Sequence, residues 1–136
     1  MAIFLREPGW EGLDAALRTD RVLIGAPTLF ELRRVLASRG LPDAARLVAD
    51  LVAAGVVVHP FGLQEYRFSE LAYERYGKGR GGGIEASVLD LFDCMTYGTA
   101  RAASAPLLFK GDDFAVTDLG LHPACQDGHG APLAAL

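Results

Sequence analysis

The chain has 136 residues, 51% of them apolar, a formal net charge of −4 and two cysteines. A chain of this length can bury a core of its own without disulfides or a structural metal, and Cys94 and Cys125 lack any metal-ligand spacing, which argues against a zinc or disulfide framework. The mild charge gives no global footprint of nucleic-acid binding and leaves phosphate contacts to local basic positions. With no apolar run near the roughly 20 residues of a membrane span and no leader pattern, the chain reads as soluble and cytoplasmic.

β-rich runs alternate with helical patterns, the signature of an α/β domain with a mainly parallel sheet. Met1 to about Leu17 reads as a helix broken by a turn at Pro8-Gly9, and Arg21 to Gly25 as a short strand. Thr28 is the expected N-cap of a helix carrying Leu29, Leu32, Val35 and Leu36, which ends before Gly40 and Pro42. Asp43 caps a second helix with a stripe of Leu47, Val48, Leu51 and Val52, and the β-branched run Val56 to His59 predicts a buried strand. A further amphipathic helix spans Leu63 to Tyr76 and stops at the glycine-rich stretch Gly77 to Gly83, which reads as a mobile loop. Then come a helix from about Asp90 to Ala103, a strand from Pro106 to Phe109, an acidic turn, and a short strand near Leu121 to Ala124. Residues 1–125 read as one domain and residues 126–136 as a flexible tail.

The acidic positions fall beyond the carboxyl ends of the expected strands and at the starts of helices, where α/β sheets place their chemistry. Glu31 follows the first strand, Asp112 and Asp113 follow the strand ending at Phe109, and Asp90 and Asp93, three apart, share one face of a helix that must also bury Cys94 and Tyr97. Carboxylates without His or Cys suit a hard divalent cation such as Mg²⁺, and an unpaired carboxylate in apolar surroundings is costly. Each position also has a plainer reading. Thr28-Leu29-Phe30-Glu31 is a capping box, Asp90 is an N-cap, and Asp112 and Asp113 suit a turn. Asp93 is the hardest to dismiss, because a cap already precedes it. His59, His122 and His129 follow no ligand spacing, and the glycine-rich stretch lacks the ending of a phosphate-binding loop.

The order Ala26-Pro27-Thr28-Leu29-Phe30-Glu31, Tyr76-Gly77-Lys78-Gly79-Arg80, Leu89-Asp90-Leu91-Phe92-Asp93-Cys94-Met95-Thr96-Tyr97 and Leu107-Leu108-Phe109-Lys110-Gly111-Asp112-Asp113-Phe114, then Thr117-Asp118, resembles a PIN-domain ribonuclease of the VapC toxin family. The resemblance covers nearly the whole chain and implies a three-layer α/β/α fold around a short, mainly parallel sheet. It implies a Mg²⁺- or Mn²⁺-dependent endoribonuclease, the toxin of a toxin-antitoxin pair, bound by a VapB-like antitoxin and assembled as a homodimer. Carried over by position, it assigns the catalytic and metal-binding roles to Glu31, Asp93 and Asp113, with Asp112 as a possible substitute ligand. Thr117 and Asp118 would support the acidic turn, and Lys78, Arg80 and Lys110 would meet the RNA backbone, although all three also read as solvated loop charges.

The chain departs from the family at its start. Members begin with a hydrophobic strand ending in Asp, a pattern like Val-Ile-Asp-Thr-Ser-Ala, whereas Met1-Ala2-Ile3-Phe4-Leu5-Arg6-Glu7-Pro8-Gly9 aligns with the helix that follows that strand. The resemblance therefore predicts that the first, central strand is absent and leaves its neighbours unpaired. A late start codon and a crippled copy both account for this, and the intact remaining carboxylates favour the former. Asp90 and Phe92 stand where the family often has Asn and Gly. Three functions follow: an active toxin-type ribonuclease, an inactive PIN fold that only binds an antitoxin or other partner, and a nuclease acting on DNA or structured RNA outside any toxin pair.

Overall fold

The computed structural model describes residues 1–79 and 88–125. Arg80, most of the expected mobile loop and the expected tail lie outside the described residues. The N-terminal helix is broken where Pro8-Gly9 predicted. The first helix, α1 (Ala2–Leu5), ends at Arg6 in a left-handed conformation, and Gly9, at φ 84°, opens α2 (Trp10–Thr19). β1 (Leu23–Gly25) then runs without a loop into α3 (Ala26–Ser38). Thr28 is thus not the cap. Pro27 already occupies the first helical turn, where its missing N–H costs nothing, and Gly25 is the cap residue. The Thr28 hydroxyl instead pairs with that of Thr96 at 2.8 Å. Asp43 stands at the N-cap position of α4 (Ala44–Ala53) but makes no capping bond with its side chain.

β2 (Val57–His59) pairs in parallel with β1, Leu23 opposite Val57, Ile24 opposite Val58 and Gly25 opposite His59. The expectation of a buried strand fails here. Among the described residues β2 has β1 as its one ladder partner, so it is an edge, and Val57 and Val58 are exposed. Of the expected run only Val56 is buried.

α5 (Leu63–Tyr76) and α6 (Leu91–Ala103) form the tightest packing in the molecule. The tyrosines of α5 predicted an aromatic buried face, yet Tyr66 and Tyr73 are exposed and the buried positions are Glu65, Ser69 and Ala72. The cause is Gly98 on α6. A Cβ there would collide with the Ser69 hydroxyl and the Glu65 carbonyl, so the two backbones touch where bulky side chains would hold them apart. Glu65 is satisfied in this contact by His59 Nε2 at 2.9 Å and by the Gly62 N–H, which donates to its other oxygen at 2.9 Å. Around this pair the core gathers Leu89, Cys94, Tyr97, Ala100, Leu107, Phe114 and Leu119. Both cysteine thiols are free. Burial raises that of Cys94 to about 11, in keeping with its reading as a small apolar core residue.

The strand expected at Pro106 to Phe109 is reduced to one parallel bridge between Leu107 and Leu121, and Pro123–Cys125 forms a 3₁₀ turn in place of the end of the last strand. Cys125 anchors this turn: its Sγ donates to the Leu107 carbonyl at 3.2 Å and accepts from the Phe109 N–H at 3.3 Å. Between β1 and the Leu107–Phe109 segment lies a cavity of about 900 Å³, walled by apolar side chains that include Leu13, Leu23, Leu32 and Leu107. It occupies the position that the absent first strand was expected to leave open.

Candidate functional site

The acidic residues come from three elements. Glu31 stands in the second turn of α3, on the helix that β1 feeds directly. Asp90 and Asp93 open α6, where they cap one another: the Asp93 N–H donates to Asp90 Oδ1 at 2.9 Å and the Asp90 N–H donates to Asp93 Oδ2 at 3.0 Å. Both readings of the pair hold at once. Asp90 is the N-cap, and Asp93 uses one oxygen as the return bond of the box while its charge faces other carboxylates. Asp112 and Asp113 lie in an exposed turn opened by Gly111 at φ 107°, and the Asp112 carbonyl accepts the Ala115 N–H at 3.0 Å.

Electrostatics tie these elements into one neighbourhood. Burial raises the Glu31 carboxyl above its ordinary range, and the charges of Asp90 and Asp93 push it further. Burial likewise raises Asp93, with Asp90 and Asp113 adding to the rise and Lys78 opposing it. Carboxylates from α3, α6 and the 112–113 turn therefore repel one another across a shared space. The contact that brings α3 against α6 is the Thr28–Thr96 hydroxyl pair, three residues before Glu31 and three after Asp93. This clamp was missed in the sequence, where Thr28 looked like a cap and Thr96 carried no signal.

The remaining predicted positions separate. Lys78 is placed beside the site because the Gly77–Leu89 bridge closes the end of α5 onto the start of α6, with the Lys78 N–H donating to the Leu89 carbonyl at 2.9 Å. Lys110 is turned to Glu7 at 3.3 Å, so its charge is already partnered. Thr117 braces the acidic turn, donating to the Phe114 carbonyl at 2.8 Å. Asp118 accepts the Tyr97 hydroxyl at 2.6 Å and pairs with Arg75 and Arg101 at 3.6 and 3.9 Å, which fastens the turn to α5 and α6. These partners hold the Asp118 carboxyl below its usual range. Met1 also belongs to this region: its amino group is largely buried and lies within electrostatic reach of Glu7 and Glu31.

The profile of the PIN domain matches residues 1–119. The chain belongs to the PIN-domain family. It is 35% identical over 127 residues to the VapC ribonuclease Mb2780c of Mycobacterium bovis and to ribonuclease VapC42 of Mycobacterium tuberculosis, covering 92% of this chain and 93% of each relative. Ribonuclease VapC of Mycolicibacterium smegmatis is 35% identical over 121 residues, 88% of this chain and 91% of the relative. Within the PIN family the chain is therefore a VapC-type member, with the α/β architecture and parallel pairing that the resemblance implied.

An all-oxygen set that repels itself is the donor chemistry of a hard divalent cation, and Glu31, Asp93 and Asp113 fit such an ion in kind. Among the described residues, however, no three His, Cys, Asp or Glu side chains stand close enough to ligate one ion directly. A cation there would be held by one or two carboxylates and by waters reaching the others, the usual manner of Mg²⁺.

Proposed function

We propose that the chain is a Mg²⁺- or Mn²⁺-dependent endoribonuclease, the toxin of a VapBC-type pair, acting in the cytoplasm as a single domain over residues 1–125. The observation that carries this reading is the mutual repulsion of Glu31, Asp93 and Asp113 at the ends of β1 and of the Leu107–Phe109 segment, in a chain of the VapC family. Asp93 and Glu31 are the principal cation-holding residues, with Asp113 completing the set and Asp112 the substitute if Asp113 turns to solvent. When bound, a divalent cation supplies an activated water for attack on the phosphodiester and neutralises charge on the leaving oxygen. The protein's own part is positional. The Asp90–Asp93 capping box fixes the rotamer of Asp93, the Thr28–Thr96 clamp sets its distance from Glu31, and Asp118 holds the 112–113 turn against α6. Lys78 is the basic group placed to meet a backbone phosphate, with Arg80 two residues on; Lys110 serves only if an incoming phosphate draws it from Glu7.

Single-stranded or looped RNA, a VapB-like antitoxin and a homodimeric assembly complete the proposal, on the strength of the family. A second reading, a PIN fold that binds such a partner without cutting, is favoured by the lack of direct convergence among the described carboxylates. Cleavage of a labelled RNA by the purified chain in Mg²⁺ or Mn²⁺, against chelator and against Asp93→Asn, separates the two. Cation-dependent cutting lost in Asp93→Asn supports the ribonuclease, and no cutting with retained antitoxin binding supports the second reading.

A further inference from the structure

The cavity beside β1 has the character of a strand site rather than of a small-molecule pocket. One wall is β1, whose other edge carries β2. The Val57 N–H bonds the Val22 carbonyl at 3.0 Å, and successive residues of a parallel strand turn their backbone groups to alternate sides, so the N–H and C=O of Leu23 point away from β2. The opposite wall is the Leu107–Phe109 segment. Leu107 spends its N–H on the Gly120 carbonyl and its C=O on the His122 N–H, both at 2.8 Å, which turns the backbone groups of Leu108 the other way. Leu23 and Leu108 both line the cavity, and among the described residues neither has a backbone partner on that side. Two sheet edges thus look into one apolar space, each with unspent donors and acceptors.

Both walls also run the same way, toward the acidic neighbourhood, β1 leading into α3 and Glu31 and the other segment into Asp112 and Asp113. A strand laid between them would be parallel to both, would bury its side chains against Leu13, Leu32 and Val56, and would end beside Met1 and Glu31.

We propose that the slot between β1 and Leu107–Phe109 is a strand-acceptor site that takes an extended apolar segment of another polypeptide, hydrogen-bonded to Leu23 on one side and Leu108 on the other. The occupant is peptide because only a backbone offers donors and acceptors to both edges at strand spacing, and it is apolar because the walls are. Its length is about five residues, the common length of a sheet strand. Filling the slot joins the two halves of the sheet that carry Glu31 and the acidic turn, so occupancy stiffens the candidate site. The inference stands on the two open edges and not on the ribonuclease reading.

The test uses the full chain and a synthetic six-residue peptide of alternating Val and Ile, carrying two lysines at its N-terminus for solubility. Binding is followed by the fluorescence of Trp10, the single tryptophan, which opens the helix lining one side of the slot, and by amide hydrogen exchange. The expected result is saturable one-to-one binding in which the amides of Leu23 and Leu108 become protected together. The same peptide with its central amides N-methylated should bind roughly tenfold or more weakly, because the apolar surface is kept and the ladder is lost. Because this control alters the peptide and not the protein, folding of a variant is not at issue. Equal binding of the N-methylated peptide, binding of detergent or lipid with the same protection, protection that appears only as the chain dimerises with itself, or no saturable binding would each overturn the proposal. None of these readouts depends on RNA cleavage, so its failure and that of the ribonuclease reading are separable.

Discussion

Replacing Asp93 with Asn should make the cation-free protein more stable at neutral pH, not less. Asn retains an oxygen that can accept the Asp90 N–H, so the return bond of the capping box at 3.0 Å survives. What disappears is a charge set against Asp90 and Asp113 and partly desolvated. A like charge nearby at a partly exposed site is worth on the order of 0.5–1 kcal/mol, opposed by a few tenths for an anion lost from the first helical turn. The expected gain is therefore about 0.5–1 kcal/mol, or roughly 2–4 °C in Tm for a chain of this size. Asp90→Ala, by contrast, removes the cap itself and should cost about 1 kcal/mol. The pH dependence has a defined sign. The Asp93 and Glu31 carboxyls are raised in the folded state, so their contribution is most favourable at low pH, where both are protonated, and is lost as pH rises through their folded values. The advantage of Asp93→Asn should accordingly vanish at pH 3. Thermal unfolding of both proteins in chelator at pH 3 and pH 7.5 measures this. Destabilisation of Asp93→Asn at pH 7.5, or an equal advantage at both pH values, would refute the electrostatic reasoning.

Glu65 and Asp118 behave in the opposite sense, since partners hold both carboxyls low; Glu65→Gln should flatten the loss of stability on acidification, read from Tm between pH 5 and pH 3. Gly98→Ala should cost about 2–3 kcal/mol despite the better helix propensity of Ala, because its Cβ meets the Ser69 hydroxyl and the Glu65 carbonyl, and a denaturant midpoint unchanged from wild type would contradict the packing assignment. Tyr97→Phe removes the hydroxyl donated to Asp118 and should cost about 1.5–3 kcal/mol, with faster amide exchange through the 112–118 turn; unchanged exchange there would show that this bond does not fasten the turn. Cys94, with its thiol pushed up to about 11, should react with a thiol reagent only as fast as the protein opens, so labelling at the rate of a free thiol would place it outside the core.

Much of the helical layout was readable because its punctuation is local. Pro8-Gly9 breaks the first helix, Gly40 ends α3, and the Asp90–Asp93 spacing opens α6. Thr28 misled because a capping box is a short pattern, and nothing nearby reveals that β1 enters α3 without a loop and that Pro27 has already started the helix. β2 was read as buried because Val56 to His59 has a continuous apolar run; whether a strand is flanked on both edges depends on elements far away in the chain. The buried face of α5 was hidden for a related reason, since Gly98, some thirty residues later, decides that Ser69 and Ala72 pack while Tyr66 and Tyr73 do not. At the candidate site the residue types and their places after strands were legible. The distances were not, because they depend on the Thr28–Thr96 clamp and on the sheet beneath it.

The most direct test of the ribonuclease assignment is a titration of Mg²⁺ or Mn²⁺ into the chain, read at each point both as Tm and as the rate of RNA cleavage. A cation held by Glu31, Asp93 and Asp113 and used for cutting predicts that stability and cleavage rise with one midpoint, by roughly 2.7 kcal/mol of stability at a hundredfold excess over Kd, and that Asp93→Asn shows neither rise. Cleavage that persists in chelator, or that survives in Asp93→Asn at the wild-type rate, would contradict it.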